Sequence, residues 1–435
     1  MNKYIAAVDL GTTKVAVIVG EKTSTGVKII GYKEVSSSGG ITRGEIVNIQ
    51  KILGAIRTAV EAVSDQINEG SDITNIAIND VYVGIGGQEI KVISDSLIKN
   101  RKNPSAAIDD KEMEWLKNEI LAASPEDECK IIHIEPQAYN VDNKMGIKDI
   151  IGVIGNELEI QYKEFLSRKN PIAYTESVIS KAGLHSKHQF LKHIAAAEAV
   201  LTDDEKELGC ALLDIGGGTT NLIIYRDNII RHLAVIPFGG NIITDDIKQH
   251  CGISFKNSEL LKKRHGYCIS EYAPANKHIT IQDSRGKIIK NVEVSKLSEA
   301  IEARVCEIIA TAINEIDISG NTGKLRSGII LTGGSTELIH LQNLVQYLTK
   351  LNVRIGIPNS DKLNKKSIQD VFVPSASVAV GLILKGAQIE EAYVEEDAEM
   401  NPKTTMTKPA AVKTKKPKKS FENILGDLFK SDNEA

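Results

Sequence analysis

The chain has 435 residues, which at about 150 residues per domain allows roughly three structural units and excludes a single small domain. Hydrophobic residues make up 42% and Asp, Glu, Lys and Arg 25%, an ordinary balance for a folded protein. The 53 basic against 57 acidic side chains leave a net charge of −4, which offers no chain-wide basic field for nucleic acid.

The first predicted elements are two strands around a glycine turn. Ile5 to Leu10 is apolar apart from Asp9, Gly11, Thr12 and Thr13 turn the chain, and Val15 to Val19 is again β-branched. Met1 to Tyr4 runs straight into this strand with no n-region and no small-residue cleavage site, so this segment is expected to be folded protein and not a secretory signal. Val81 to about Phe165 reads as an inserted module, with strands at Glu89 to Ile93 and Lys130 to Ile134 and a helix capped by Asp109 with Glu112 at the capping-box position. His185, His188 and His193, interleaved with Lys187 and Lys192, predict a solvated helix face and no metal site. The opening design then returns at Ala211 to Tyr225, where a strand ending at Asp214 meets Gly216, Gly217, Gly218, Thr219 and Thr220 before Leu222 to Ile224. The two copies lie roughly 200 residues apart, too far for a solenoid repeat, and predict two similar domains facing one another across a cleft. A third strand, Gly328 to Leu331, leads into Gly333, Gly334 and a helix starting near Ser335.

From Glu390 the composition turns acidic and then rich in Thr, Pro and Lys through Lys419, which predicts a disordered linker. It ends in Phe421, Ile424, Leu425, Leu428 and Phe429, spaced as one apolar face of a short amphipathic helix. The five cysteines are scattered without a CxxC pair, indicating neither a disulfide framework nor a zinc knuckle and fitting a reducing cytoplasm. No apolar run approaches the 18 or so residues that span a bilayer, so any membrane contact is expected to be peripheral.

Small residues let backbone N–H groups approach a phosphate, and threonine hydroxyls add donors without bulk. Each hairpin turn (Gly11, Thr12, Thr13; Gly216 to Thr220) is therefore a candidate anion cradle, and two opposed cradles suit a triphosphate. Asp9 and Asp214, at strand ends beside the turns, are placed to hold Mg²⁺ through its waters. Lys14 can add positive charge, and Gly333, Gly334 and Ser335 offer bare backbone and N–H groups to a nucleoside and its phosphates. No GxxxxGK[ST] loop is present, and Gly84-x-Gly86-Gly87 lacks the dinucleotide spacing.

Asp9-Leu-Gly-Thr-Thr-Lys14, Asp214-Ile-Gly-Gly-Gly-Thr-Thr220 and Leu331-Thr-Gly-Gly-Ser-Thr336 resemble the phosphate-1, phosphate-2 and adenosine motifs of the actin, sugar-kinase and heat-shock-chaperone superfamily. Within it the chain resembles the FtsA family of bacterial cell division. The likeness runs through His133-Ile-Glu-Pro-Gln-Ala-Tyr139, Gly146-Ile147, Gly155-Asn-Glu-Leu-Glu159, Glu198-Ala-Val-Leu201, Phe238-Gly-Gly-Asn241 and Lys263-Arg-His-Gly266. The resemblance implies an α/β actin-like fold whose two lobes carry duplicated ribonuclease-H-like domains. Lobe 1 would take residues 1–84, 166–211 and a closing helix at 374–389, with an inserted 1C subdomain at 85–165. Lobe 2 would take 212–240 and 310–373, with subdomain 2B at 241–309. The linker would cover 390–419 and the membrane-targeting helix 420–431.

The same resemblance implies ATP and Mg²⁺ as ligands, self-association into filaments on the cytoplasmic face of the membrane, and tethering of FtsZ by its C-terminal tail through subdomain 2B, with other divisome proteins as further partners. Residue by residue, Glu198 matches the position that orients the attacking water, Glu259 and Lys262 match the helix lining the nucleoside, and Gly239 and Gly240 match the turn approaching the nucleotide from lobe 2. Asn221 stands where many relatives carry an aspartate, so slow hydrolysis is expected. The terminal helix carries only Lys430 as a basic residue of its own, but five lysines between Lys413 and Lys419 precede it and would favour anionic lipids. A small-molecule kinase of the same superfold and a pilus-assembly actin-like ATPase stay open as alternatives, because fold does not fix function.

Overall fold

The computed structural model describes residues 3–70, 76–122, 128–282 and 285–400. Lobe 1 opens with an antiparallel meander of β1 (Tyr4–Leu10), β2 (Lys14–Thr23) and β3 (Gly26–Ser36). A two-stranded ribbon, β4 (Ile41–Thr42) and β5 (Glu45–Ile46), leads to α1 (Ile49–Gly70) and then to β6 (Asp80–Ile85), which pairs parallel to β1. The insert follows: β7 (Lys91–Asn100), α2 (Asp110–Ala122), β8 (Cys129–Val141), β9 (Lys144–Ile147) and β10 (Glu157–Arg168), forming a separate sheet in the order β7-β10-β8-β9. The chain returns through α3 (Lys169–Lys181) to β11 (His185–Leu191), parallel to β6, and continues into α4 (Lys192–Val200) and α5 (Asp203–Leu208).

Lobe 2 repeats the plan. β12 (Cys210–Ile215), β13 (Thr220–Arg226) and β14 (Ile229–Ile236) form the meander. After it come α6 (Gly240–Cys251), α7 (Phe255–His265), a hairpin of β15 (His278–Gln282) and β16 (Ile288–Glu293), and α8 (Val294–Ile318). β17 (Gly328–Thr332) then pairs parallel to β12, α9 (Leu341–Thr349) crosses over, and β18 (Val353–Ile355) pairs parallel to β17 before α10 (Ser377–Met400), the last described element. The two large sheets have the same strand sequence, β3-β2-β1-β6-β11 and β14-β13-β12-β17-β18. The halves are thus a duplicated five-stranded fold, and together they are actin-like.

Alternation along the central strands explains how the lobes meet. In β1, Ile5 and Ala7 enter one core while Ala6, Val8 and Leu10 enter another. In β12, Cys210 and Leu212 join the first of these and Ala211, Leu213 and Ile215 face a core private to lobe 2. The shared core also contains α4 and α10, so both helices lie between the two sheets. A helix buried on all sides must be apolar all round and narrow, which accounts for Ala195, Ala196, Ala197 and Ala199 in α4. Gly381 of α10 sits against the Ala195 carbonyl, where a Cβ would lie only 1.7 Å away.

Four local expectations are corrected. The histidine segment is the strand β11 and not a helix, and His193, the second residue of α4, is buried and not solvated. The third glycine loop is a short 3₁₀ turn, Gly334–Glu337, with the α-helix starting only at Leu341. The final helix continues to Met400 through the start of the predicted linker, and Glu390 is buried, paired with Lys22 at 2.5 Å and Lys187 at 2.8 Å. At the start of α2, Asp109 accepts from the Glu112 N–H as expected, but the Glu112 side chain is turned to the Arg101 guanidinium and does not close a capping box.

Candidate active site: the cleft between the lobes

The two meander turns are built alike. In the first the Gly11 N–H donates to the Lys14 carbonyl at 2.8 Å, and in the second the Gly216 N–H donates to the Thr219 carbonyl at 2.9 Å. The turns pack directly on each other. A Cβ on Gly217 would lie 2.3 Å from Thr13 Cγ2, and one on Gly218 would lie 2.5 Å from Thr12 Oγ1. Glycine is required here by contact between the lobes, not by backbone conformation. Above this floor opens a cleft of about 300 Å³, within the size range of small-molecule sites. Its wall from lobe 2 is tied to the second turn by hydrogen bonds from the Gly240 and Asn241 N–H groups to the Gly216 and Gly217 carbonyls and from Ser335 Oγ to the Gly216 carbonyl. α6 therefore begins at the cleft with no side-chain cap; its first two N–H groups are taken by the turn carbonyls, and it faces the cleft with the positive end of its dipole.

Asp9 and Asp214 both line the cleft and both are buried. Burial raises the Asp214 carboxyl above its ordinary range; the Asn221 amide, donating at 3.3 Å, opposes the rise and the Asp9 charge adds to it. Lys192 Nζ stands 2.8 Å from Asp9 Oδ1, an ion contact whose angles are not those of a hydrogen bond, and donates to the Leu10 carbonyl at 2.7 Å. Asp9 Oδ1 and Asn221 Oδ1 are thus buried acceptors without a hydrogen-bond donor. Two carboxylates with unused oxygen lone pairs fit a hydrated divalent cation such as Mg²⁺. Among the described residues no group of three or more His, Cys, Asp and Glu is placed to hold a metal.

On the opposite wall, Lys262 Nζ reaches Glu259 Oε2 at 2.7 Å, Thr244 Oγ1 at 2.7 Å and the Gly240 carbonyl at 2.8 Å. Burial would raise the Glu259 carboxyl, but the Lys262 charge and the hydrogen bonds from Lys262 and Thr244 outweigh it and hold it low. Lys14 Nζ donates to the Ser375 carbonyl at 2.8 Å and pairs with Glu34. Gly333 is left-handed with φ of 89°, and a Cβ there would lie 2.3 Å from Asp214 Oδ1.

Comparison with known proteins decides the family. The family model described as "Cell division protein FtsA" matches residues 211–381, and "SHS2 domain inserted in FTSA" matches residues 87–163. The cell division protein FtsA of Buchnera aphidicola subsp. Baizongia pistaciae is 30% identical over 402 residues, covering 88% of this chain and 91% of that protein. The chain belongs to the FtsA family. FtsA of Pseudomonas aeruginosa is 30% identical over 393 residues, covering 89% and 90% of the two chains, and FtsA of Escherichia coli strain K12 is 26% identical, covering 93% and 94%. Among solved structures, a chain of the PilM-PilN type IV pilus biogenesis complex aligns with a TM-score of 0.58 at 14% identity, covering 88% of this chain and 98% of that one. This last likeness concerns the fold alone.

For this FtsA-family chain, the cleft brings together Asp9, Gly11, Thr12, Thr13, Lys14, Asp214, Gly216, Gly217, Gly218, Thr219, Gly240, Glu259, Lys262, Gly333, Gly334 and Ser335. Thr220 and Gly239 stand just behind it: Thr220 is buried and donates to the Phe238 carbonyl at 2.9 Å, and Gly239 packs against the Gly216 carbonyl. Glu198 is not a cleft residue. Its carboxylate lies 3.4 Å from Lys362 Nζ and 3.5 Å from Lys206 Nζ, and it therefore does not face the cleft as a water-orienting group. Burial opposes ionisation there, yet the lysine charges win and lower its pKa to about 2. The cleft-facing residue of α4 is Lys192, which sequence reasoning missed along with Gly44, Gly86, Gly87 and Asn241. The available signal was Gly84-x-Gly86-Gly87, in which the missing side chains of Gly84 and Gly86 make room for the Lys192 stem. Phe421, Ile424, Leu425, Leu428 and Phe429 lie outside the described residues, among which no helix is long and apolar enough to cross a membrane.

Proposed function

We propose that this FtsA-family chain binds ATP with Mg²⁺ between its lobes, assembles into filaments on the cytoplasmic face of the membrane at the division site, and anchors the FtsZ ring there. The observation that carries the reading is the pair of matched turns with buried Asp9 and Asp214 facing one cleft. The turn backbones and the α6 N-terminus receive the phosphates, while Glu259 and Lys262 line the nucleoside side. Asp9 and Asp214 hold the ion, which offsets phosphate charge when bound. Hydrolysis is slow on this reading. The groups beside the two carboxylates are Lys192, a donor only, and Asn221, an amide, and neither takes a proton from water.

Membrane attachment falls to the segment 420–431. Each of its five apolar side chains contributes at most about 1.5–3 kcal/mol, reduced by partial burial and by the ordering of the helix. One helix therefore binds reversibly, and a filament presenting many binds firmly because later contacts are intramolecular. The FtsZ tail docks on the lobe 2 region 241–309, and other divisome proteins join the assembly. Electron microscopy on lipid monolayers with ATP and Mg²⁺ tests the reading. Filaments should form with the full chain and be lost from the lipid when residues 420–435 are removed. Lipid binding that survives this deletion, or turnover at the rates of a small-molecule kinase without filaments, would refute it.

A further inference from the structure

Lys192 holds an exceptional place for a lysine. It is the first residue of α4, only 8% exposed, and its ammonium reaches the cleft beside one of the two carboxylates. Its stem is confined by bare backbone: a Cβ on Gly84 would lie 3.0 Å from Lys192 Cγ, and one on Gly86 3.1 Å from Lys192 Cδ. The Leu10 carbonyl at 2.7 Å fixes the tip. An ammonium has three donors; one goes to Leu10 and the ion contact with Asp9 takes a second direction, leaving a third for a ligand in the cleft.

The other lysines of the cleft are held differently. Lys14 is drawn to Glu34, and Lys262 and Lys263 to Glu259. Lys192 alone among them contacts a carboxylate of the Asp9–Asp214 pair, while Asp214 receives the neutral Asn221 amide. A triphosphate entering this cleft meets two carboxylates in a poorly hydrated site, where like charges repel strongly. Without a cation that repulsion would expel it.

Resting on the ATP reading above, we propose that Lys192 is a tethered cation that neutralises Asp9 and contacts the nucleotide phosphates, supplying part of the charge that a divalent ion supplies and letting the protein retain ATP without magnesium. The lysine is covalently fixed and cannot be chelated away. It also competes with a divalent ion for Asp9, so magnesium adds less affinity than it would to a site with both carboxylates uncompensated.

Equilibrium dialysis with radiolabelled ATP, using the full chain in magnesium and in excess EDTA, tests this. The unaltered protein should bind ATP in both, with dissociation constants within about ten-fold of each other. Lys192→Gln keeps a donor for the Leu10 carbonyl but removes the charge. It should weaken binding by about ten-fold or more in EDTA and recover in magnesium. Asp9→Asn, a second variant in case the first folds poorly, should move the other way, binding better in EDTA and worse in magnesium. The proposal is overturned if the unaltered chain binds only with magnesium, or if Lys192→Gln binds in EDTA as the unaltered chain does. Failure to bind under either condition would overturn the ATP reading itself, whereas tight binding with a strict magnesium requirement leaves that reading standing and removes only the role of Lys192.

Discussion

The same substitution, glycine to alanine, should have opposite signs in two helices of this protein. Gly54 lies in α1 with nothing within 4 Å of an added methyl group, and it is exposed. Gly54→Ala therefore gains only the helix-propensity difference, about 0.5–1 kcal/mol of stability. Gly381 lies in α10 where it crosses α4, and its methyl would sit 1.7 Å from the Ala195 carbonyl oxygen and 2.3 Å from the carbonyl carbon. Both atoms are backbone, so no side chain can swing aside. The helices must part, against sheets that pack on both of them. Overpacking costs about 1–3 kcal/mol, and a 1.7 Å approach to fixed backbone belongs at the upper end, so a net loss of about 2 kcal/mol remains after the propensity gain. Because α4 begins with Lys192, Gly381→Ala should also weaken ATP binding, while Gly54→Ala should not. Urea unfolding followed by circular dichroism reads the two midpoints. A raised midpoint for Gly381→Ala would show that α4 and α10 are not in contact as described, and the account of the central layer would fall.

Gly218→Val places its branched carbon against Thr12, where even a Cβ lies 2.5 Å from Oγ1; ATP affinity measured by dialysis should drop by at least about ten-fold with the far-ultraviolet spectrum unchanged. Glu135→Ala removes the carboxylate that accepts from the Ile230 N–H at 3.0 Å and joins the insert to β14. It should cost about 1–3 kcal/mol and speed hydrogen exchange in β14. Two acid-sensitive groups titrate in different windows. Burial lowers His193 to about 3, so its contribution is present above the unfolded value of about 6.5 and is lost as pH falls from there toward 3. Glu198, lowered to about 2, contributes above about 4.5 and loses that stability only as pH falls from there toward 2. Unfolding free energy measured against pH should flatten between about 6.5 and 4.5 in His193→Phe but only below about 4.5 in Glu198→Gln.

The hairpins were legible because strands buried on both faces read as unbroken apolar runs, and β1, β2, β12 and β13 are of that kind. β11 was not. It is an edge strand with one neighbour, largely exposed along its first half, so its sequence carries lysine and histidine instead of an apolar alternation. Glu390 was hidden by a related effect: a charge run reads as solvated, and only the fold reveals that one member faces Lys22 and Lys187. Lys192 failed for the opposite reason. A buried lysine looks like a surface lysine in a sequence, and the clue lay about a hundred residues earlier, in glycines that matter only once β6 and β11 are side by side. Glu198, assigned from a family motif, shows the converse: residues six apart on α4 point in different directions, one toward the cleft and one toward Lys206 and Lys362.

Duplication of the fold has not made the two sides of the cleft equivalent. In the first hairpin Asp9 stands opposite Ala16, and in the second Asp214 stands opposite Asn221. A methyl group offers Asp9 nothing, so its partner must come from elsewhere in lobe 1, and the helix following β11 supplies Lys192. Asp214 has its partner on the adjacent strand, neutral and only 3.3 Å away. One carboxylate is thereby tied to the helix between the lobes while the other is tied within its own sheet. A charge arriving between them acts on both ties at once, but it pulls on α4 only through Asp9. Since α4 packs on α10 and on both sheets, a nucleotide bound as proposed would be coupled to the lobe packing through the first lobe's carboxylate, and Asp9→Asn should reduce ATP-dependent protection of the α4 amides from hydrogen exchange more than Asp214→Asn does.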